Sequence, residues 1–163
     1  RIDKDTSGLL VVAKTDDAHV FLSSLLKDHG IKRVYHAIVT GHFKTECGTV
    51  NAPIGRCPAD RKKMAVISGG REAITHFSTV CEYKSFTHAK MELETGRTHQ
   101  IRVHMSHIGT PIFGDDLYGA PQEGMHTLLH CSKIRFFHPV TKKETIIEAP
   151  IPSDITNIFT KEN

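Results

Sequence analysis

No stretch of the 163 residues approaches the roughly 18 or more apolar residues of a membrane-spanning helix. The opening, Arg1-Ile2-Asp3-Lys4-Asp5, is charged and lacks the apolar core of a signal peptide. The four cysteines, Cys47, Cys57, Cys81 and Cys131, include no C-x-x-C pair. Their spacing fits neither a zinc site nor a disulfide framework, so reduced thiols in a cytoplasmic protein are expected. The metalloprotease pattern H-E-x-x-H is absent, as are the G-x-S-x-G of serine hydrolases and the G-x-x-x-x-G-K-[ST] phosphate loop. His104 and His107 could share a helix face, with His99 nearby, but no further ligand completes a metal site.

What is present describes one ordinary domain. Hydrophobic residues make up 39% and charged residues 24%, enough of the former to bury a core without staples. The net charge of +3 and pI near 8.7 tilt mildly toward anionic partners. Arg56, Arg61, Lys62 and Lys63 crowd one stretch, with Arg71 soon after. Such a run is either a solvated loop or a phosphate-contacting surface.

The apolar run Gly8 to Lys14 predicts a buried strand. Asp16 or Asp17 can then cap a helix that carries Val20, Phe21 and Leu25 inward and stops at Gly30. Residues 32–39 and 73–83 predict strands, with turns and short strands across 43–71. Between Ala89 and Glu94, apolar Ala89, Met91 and Leu93 alternate with polar neighbours, as in a half-buried strand. Thr98 can cap a short helix bearing Ile101, Met105 and Ile108, ended by Gly109. Strands near 128–137 and 145–148 close the chain. Many strands, few helices and no regular βαβ alternation predict an α+β fold on a mixed, mainly antiparallel sheet.

Three constellations could carry chemistry. Asp3 and Asp5 precede the first strand; Asp5, followed by Thr6, Ser7 and Gly8, can shape a turn, whereas Asp3 lacks that local role. Residues 94–104 pack two arginines, two histidines and a glutamine around a turn. Arg102 there can neutralise a carboxylate, bind a phosphate or form a structural ion pair. Tyr35, within a strand, is either core or a ring that stacks on a flipped base.

The residues Arg1 to Thr15 (RIDKDTSGLLVVAKT) resemble the catalytic motif of RluA/RluD-type RNA pseudouridine synthases, with the nucleophilic aspartate at Asp3. Arg33-Val34-Tyr35-His36-Ala37 resembles the motif that supplies the active-site tyrosine, and Thr95 to His104 (TGRTHQIRVH) the motif whose arginine, here Arg102, pairs with the aspartate. Gly70 to Thr75, Pro111 to Asp115 and Leu129-His130 resemble further segments, in order along nearly the whole chain. The resemblance implies isomerisation of uridine to pseudouridine in ribosomal or transfer RNA, by catalytic Asp3, Tyr35 and Arg102. Being an isomerisation, it requires no cofactor, and the family implies no metal. Arg1 matches an arginine that can fill the space left by a flipped base. Arg56, Arg61, Lys62, Lys63, Arg71, Arg97 and His99 are the other candidate RNA contacts. Ile2 stands where the family usually has Leu, and the usual histidine before the arginine is missing. The resemblance further implies a partial catalytic domain, spanning 1–163, that lacks its N-terminal portion and any S4-like domain. The expected consequences are weak or no activity alone, association through exposed sheet edges, and a monomer at full length. The alternative is a non-catalytic RNA-binding piece of such an enzyme.

Overall fold

The computed structural model describes residues 2–119 and 122–158. In chain order it contains β1 (Ser7–Gly8), α1 (Asp16–Lys27), β2 (Lys32–Thr40), β3 (Cys47–Asn51), β4 (Ile54–Arg56), β5 (Met64–Val66), β6 (Ile74–Glu82), β7 (Phe86–Leu93), α2 (Gln100–His107), β8 (Leu129–Phe137), β9 (Glu144–Glu148) and α3 (Ser153–Thr156). One sheet runs β1-β8-β2-β7-β6-β3, with β9 also on β8, and β4 and β5 form a separate hairpin. Only the β1–β8 pair is parallel; every other pairing among the described residues is antiparallel. The expected α+β architecture, with few helices on a mixed, mainly antiparallel sheet, is the one that forms.

Period-two alternation sorts the central strands onto two faces. Ala37, Val39, Ala89, Met91, Leu93 and Leu129 form the core on one face, where Ile101 and Met105 of α2 pack onto them. The other side of α2 presents Val103 to Ile54 and Ala73, so the helix is wedged between the sheet and the β4–β5 hairpin. On the opposite face of the sheet, Ile38 is covered by Leu128 and by Ile155 of α3.

The predicted strand over Gly8 to Lys14 is not formed as such. Only Ser7 and Gly8 pair, with His130 and Cys131, and Leu9 adds one bond from its N–H to the Cys131 carbonyl, at 2.9 Å. Beyond that point the segment has no ladder partner on either side among the described residues. It still alternates: Leu9 and Val11 pack with Leu22 and Leu25, while Leu10 and Val12 are 52% and 70% exposed. The apolar residues were legible, but a strand needs a neighbouring edge to accept it. Gly8 is required where the pairing does occur. Its φ is +94°, and a Cβ there would lie 2.2 Å from the Cys131 carbonyl oxygen.

Two caps also differ from expectation. Thr15, not Asp16 or Asp17, caps α1 by accepting the Ala18 N–H at 3.2 Å; both aspartates instead fill the first turn. The inward stripe of α1 is Ala18, Phe21, Leu22 and Leu25, and Val20 points to solvent. At α2 the N-cap is His99 rather than Thr98, in a left-handed conformation with φ 56° and no side-chain cap bond. Ile108, expected on the inner face, is partly exposed at the helix end.

Histidines occupy polar positions inside this fold. The His36 Nδ1 and His88 Nε2 atoms lie 2.9 Å apart across β2 and β7. Burial, then the neighbouring His88, pushes the His36 pKa down to about 4. Burial also lowers those of His88, His104 and His130. Each is neutral when folded, while the unfolded chain takes up protons near the ordinary value of about 6.5. Stability is therefore fully present above that value and is lost as pH falls toward 4. Urea midpoints followed downward from about pH 7.5 should decline through this window, and the decline should be shallower for His36→Gln.

Candidate active site

Asp3 enters the site through a tight turn. The Thr6 N–H donates to the Asp3 carbonyl at 3.3 Å, with Asp5 at φ 66° inside the turn. Aspartate tolerates that left-handed conformation better than bulkier residues do. Asp5 itself points outward beside Lys4, at 3.8 Å. The carboxylate of Asp3 turns instead into a cavity of about 200 Å³, also lined by Arg33, Tyr35, Arg97, Gln100 and Cys131. The two aspartates thus face different surroundings, the Asp5 side chain at the outside of the turn and that of Asp3 at the cavity.

Tyr35 projects from β2 opposite Cys131. The β2–β8 register slips beside it: Val34 faces Lys133 but Tyr35 faces Cys131, so Ser132 is an extra residue on β8. Bulges of this kind re-aim side chains near functional sites. Burial raises the Tyr35 pKa to about 12, against the lowering effect of Arg33; Cys131 and Asp3 push it up further. The phenol is therefore neutral at physiological pH, suited to stacking and donating rather than to accepting a proton. Arg33 lies across Gly96, where a Cβ would come within 2.7 Å of its Nη2. Its guanidinium reaches the Thr95 carbonyl at 3.5 Å.

The turn that carries Arg97 is organised by Gln100. The Gln100 Oε1 accepts from the Thr95 hydroxyl and the Arg97 N–H at 2.8 and 2.9 Å, while its Nε2 donates to the Ile74 carbonyl and to Thr75 Oγ1, both at 3.0 Å. All four amide-group interactions are used, which locks the start of α2 to β6. Arg97 Nε donates to the Glu72 carbonyl at 2.8 Å and lies near Arg71, whose charge adds to burial in lowering its pKa.

Arg102 is placed differently from expectation. Its partner is Asp115, not Asp3. Nε and Nη2 donate to the two oxygens of Asp115 at 2.7 and 2.8 Å, in a two-pronged pair whose side chains are 4% and 0% exposed. Asp116 lies 3.7 Å from Nη2. Asp3 forms no ion pair with Arg102 within 4.0 Å, although its charge acts on Arg102 through space. The reason is competition. Asp115 follows a turn 13 residues on that brings both its oxygens into the plane of the guanidinium fork.

Burial would raise the Asp115 pKa, but bonds from Arg102 and from the Tyr118 and Leu117 amides hold it below the usual carboxylate range. Arg102, resisting burial through the same pair, is pushed above the ordinary arginine value. The Arg102 guanidinium also sits 5.1 Å from the centre of the Tyr118 ring. Tyr118 in turn meets His99, whose Nδ1 lies 2.7 Å from the phenol oxygen and whose Nε2 lies 4.0 Å from Asp3 Oδ1.

A family model described as RNA pseudouridylate synthase matches residues 1–107. The chain belongs to that family. Ribosomal large subunit pseudouridine synthase D of Zymomonas mobilis is 44% identical, over 98% of this chain and 54% of that protein. The uncharacterized RNA pseudouridine synthase YjbO of Bacillus subtilis is also 44% identical, over 100% of this chain and 58% of that protein. The chain thus spans about half the length of the curated relatives it matches. The solved structure of human RNA pseudouridylate synthase domain containing 1 shares the fold, with a TM-score of 0.82 at 24% identity over 95% of this chain and 69% of that one.

Within this pseudouridylate synthase fold, Asp3, Tyr35 and Arg97 line one cleft, and His99 stands beside Asp3, outside the lining. The Asp3 charge acts on Tyr35, Arg102 and Tyr118 alike. Arg56, Arg61 and Lys62 are exposed on and beside the β4–β5 hairpin, where Arg56 Nη1 donates to the Arg61 carbonyl at 2.6 Å; Lys63 is half-buried. Arg71 is exposed, and its backbone pairs with Ile54 of that hairpin. Arg1 lies outside the described residues. Sequence reasoning assigned no role to Asp115, Tyr118 or Gln100. The signal available for Asp115 was its place at the end of the segment Pro111 to Asp115, which resembles a family segment.

His104 is not free to join His99 and His107 in a metal site. His104 is fully buried and uses both ring nitrogens, on Thr75 Oγ1 and the Ala52 carbonyl, each at 2.9 Å. Its Nε2 must carry the proton that the carbonyl accepts, so that nitrogen has no lone pair for a metal.

Removing one partner of the Arg102–Asp115 pair leaves a buried charge uncompensated. Asp115→Asn should lower stability by about 3–5 kcal/mol, measured by urea denaturation at neutral pH.

Proposed function

We propose that the protein carrying this chain isomerises uridine to pseudouridine in ribosomal or transfer RNA, with Asp3 as its nucleophile. The observation that carries this reading is the placement of the Asp3 carboxylate in a base-sized cavity beside Tyr35 and two arginines, Arg33 and Arg97. The reaction breaks the bond between C1′ and N1 of the uracil and forms one between C1′ and C5. The C5 proton leaves to solvent, N1 gains a proton, and nothing is oxidised or reduced. A carboxylate assists by attacking or by stabilising positive charge on the sugar as the base departs.

The target uridine must leave its stack to reach Asp3, at a cost of a few kcal/mol. Tyr35, neutral and half-buried, offers a flat face to the extruded base. Arg97 and Arg71 on one side of the cleft, and Arg56, Arg61, Lys62 and Lys63 at the hairpin, supply positive charge for the RNA backbone. For Arg1, the family resemblance alone supports filling the space vacated by the base. No helix among the described residues is long and apolar enough to cross a membrane. A cytoplasmic location fits Cys47 and Cys81, exposed free thiols that a reducing compartment preserves.

The deciding experiment is tritium release from RNA labelled at C5 of uridine, catalysed by the intact protein. Asp3→Ala should abolish release while leaving RNA binding in place. Undiminished release from Asp3→Ala would overturn the assignment, and RNA binding by an inactive parent would favour the non-catalytic reading. In the same protein, neutralising Arg61, Lys62 and Lys63 together should weaken binding. It should also flatten the dependence of log K on log salt by about 0.7 to 0.9 for each phosphate that these side chains neutralise in the parent.

A further inference from the structure

Tyr118 connects three parts of the molecule. It lies three residues beyond Asp115, whose Oδ1 accepts the Tyr118 N–H at 3.0 Å and the Leu117 N–H at 2.9 Å. The carbonyl of Tyr118 accepts the Ser106 hydroxyl at 2.9 Å, which ties the turn to α2. At the tip of the side chain, the phenol oxygen accepts the Met64 N–H at 2.7 Å, at the loop end of the basic hairpin, where Met64 pairs with Arg56. The same oxygen lies 2.7 Å from His99 Nδ1.

These contacts leave the phenol hydrogen one acceptor within reach among the described residues. A backbone N–H is a donor only, so the Met64 amide cannot receive the phenol hydrogen. The phenol has one hydrogen to give, and His99 Nδ1 is the acceptor in reach. Burial raises the Tyr118 pKa, so the phenol keeps that hydrogen at physiological pH. A neutral imidazole that accepts at Nδ1 carries its own proton at Nε2. Nε2 is the atom that faces Asp3 Oδ1, at 4.0 Å. The His99 backbone sits at φ 56°, a conformation disfavoured for histidine and found where surrounding structure enforces it. The Gln100 network on the next residue supplies that enforcement.

We propose that Tyr118 and His99 are positioning residues that orient the nucleophile: Tyr118 holds the His99 ring with its Nε2–H directed at Asp3. This rests on the reading of Asp3 as nucleophile. The gap of 4.0 Å is longer than a hydrogen bond, and such contacts commonly tighten when substrate closes the site. His99 then restrains one carboxylate oxygen and leaves the other for the ribose or base. Because the phenol is anchored on Met64, the orientation of Asp3 also depends on where the basic hairpin stands.

The test uses the intact protein with four variants: Tyr118→Phe, His99→Gln, the double variant, and Asp3→Ala as reference. Loss of the phenol's contacts with His99 and the Met64 N–H should reduce kcat for tritium release by about three- to tenfold for Tyr118→Phe, with KM unchanged and Tm lower by a few degrees. His99→Gln should fall at least as far, and the double variant no further than His99→Gln alone. Nitrogen-15 spectra should show His99 protonated at Nε2 in the parent, and a mixture of tautomers in Tyr118→Phe. Three outcomes overturn the proposal: kcat of Tyr118→Phe within twofold of the parent, a parent His99 protonated at Nδ1, or additive losses in the double variant. An active Asp3→Ala sinks the nucleophile reading itself. An inactive Asp3→Ala beside a fully active Tyr118→Phe sinks only the positioning role.

Discussion

Arg102 and Asp115 sit 13 residues apart, and their two-pronged pair is sealed from solvent. Taking two charges out of water costs several kcal/mol each, a cost that the two-pronged bond and the two amides on Asp115 offset. Asp115 Oδ1, which accepts Arg102 Nη2, also accepts the amides of Leu117 and Tyr118. That choice converts an ion pair into a scaffold. It fixes the turn after Asp115 against α2, and the turn fixes Tyr118. From Tyr118 the constraint divides, one branch running to the hairpin through Met64 and the other to His99 and the cleft. The cleft thus depends on an interaction that none of its lining residues makes directly.

The other side of the cleft depends on close approach rather than charge. Gly8 allows β1 to lie against the Cys131 carbonyl, and a bulge at Ser132 lets Tyr35 face Cys131. Asp3, five residues before Gly8, is carried to the cleft by the same backbone. Leu10 and Val12 alternate outward from the unpaired continuation. Two sets of restraints therefore converge on Asp3, one through the parallel β1–β8 pairing and one through His99. Neither set joins Asp3 directly to Arg102, which acts on Asp3 by its field across the gap.

Much of the fold was legible because its signals are local. Strand alternation around Ala89, Met91 and Leu93 placed β7, and β2 and β6 followed from β-branched and aromatic content. The separation of Asp3 from Asp5 was legible in the residues that follow Asp5. Other local signals misled where two residues compete for one position. Thr15 outcompeted Asp16 and Asp17 as the cap of α1, since only its hydroxyl stood one turn before the Ala18 amide. His99 took the cap of α2 in a left-handed backbone conformation, without a side-chain cap bond.

By itself the sequence determined which residues alternate, which segments are strands, and which three motifs mark a pseudouridylate synthase. These follow from neighbours along the chain and from residue order, and both are written in one dimension. The tertiary structure alone decided that Arg102 bonds to Asp115 rather than to Asp3. It also decided that Tyr118 reaches His99, and that the run from Leu10 to Ala13 lies without a ladder partner among the described residues. A charge or a hydrogen-bond donor takes the acceptor that folding brings nearest and best aligned. Spacing along the chain cannot rank those acceptors, because the turns, bulges and close glycine contacts that place them act across the sheet.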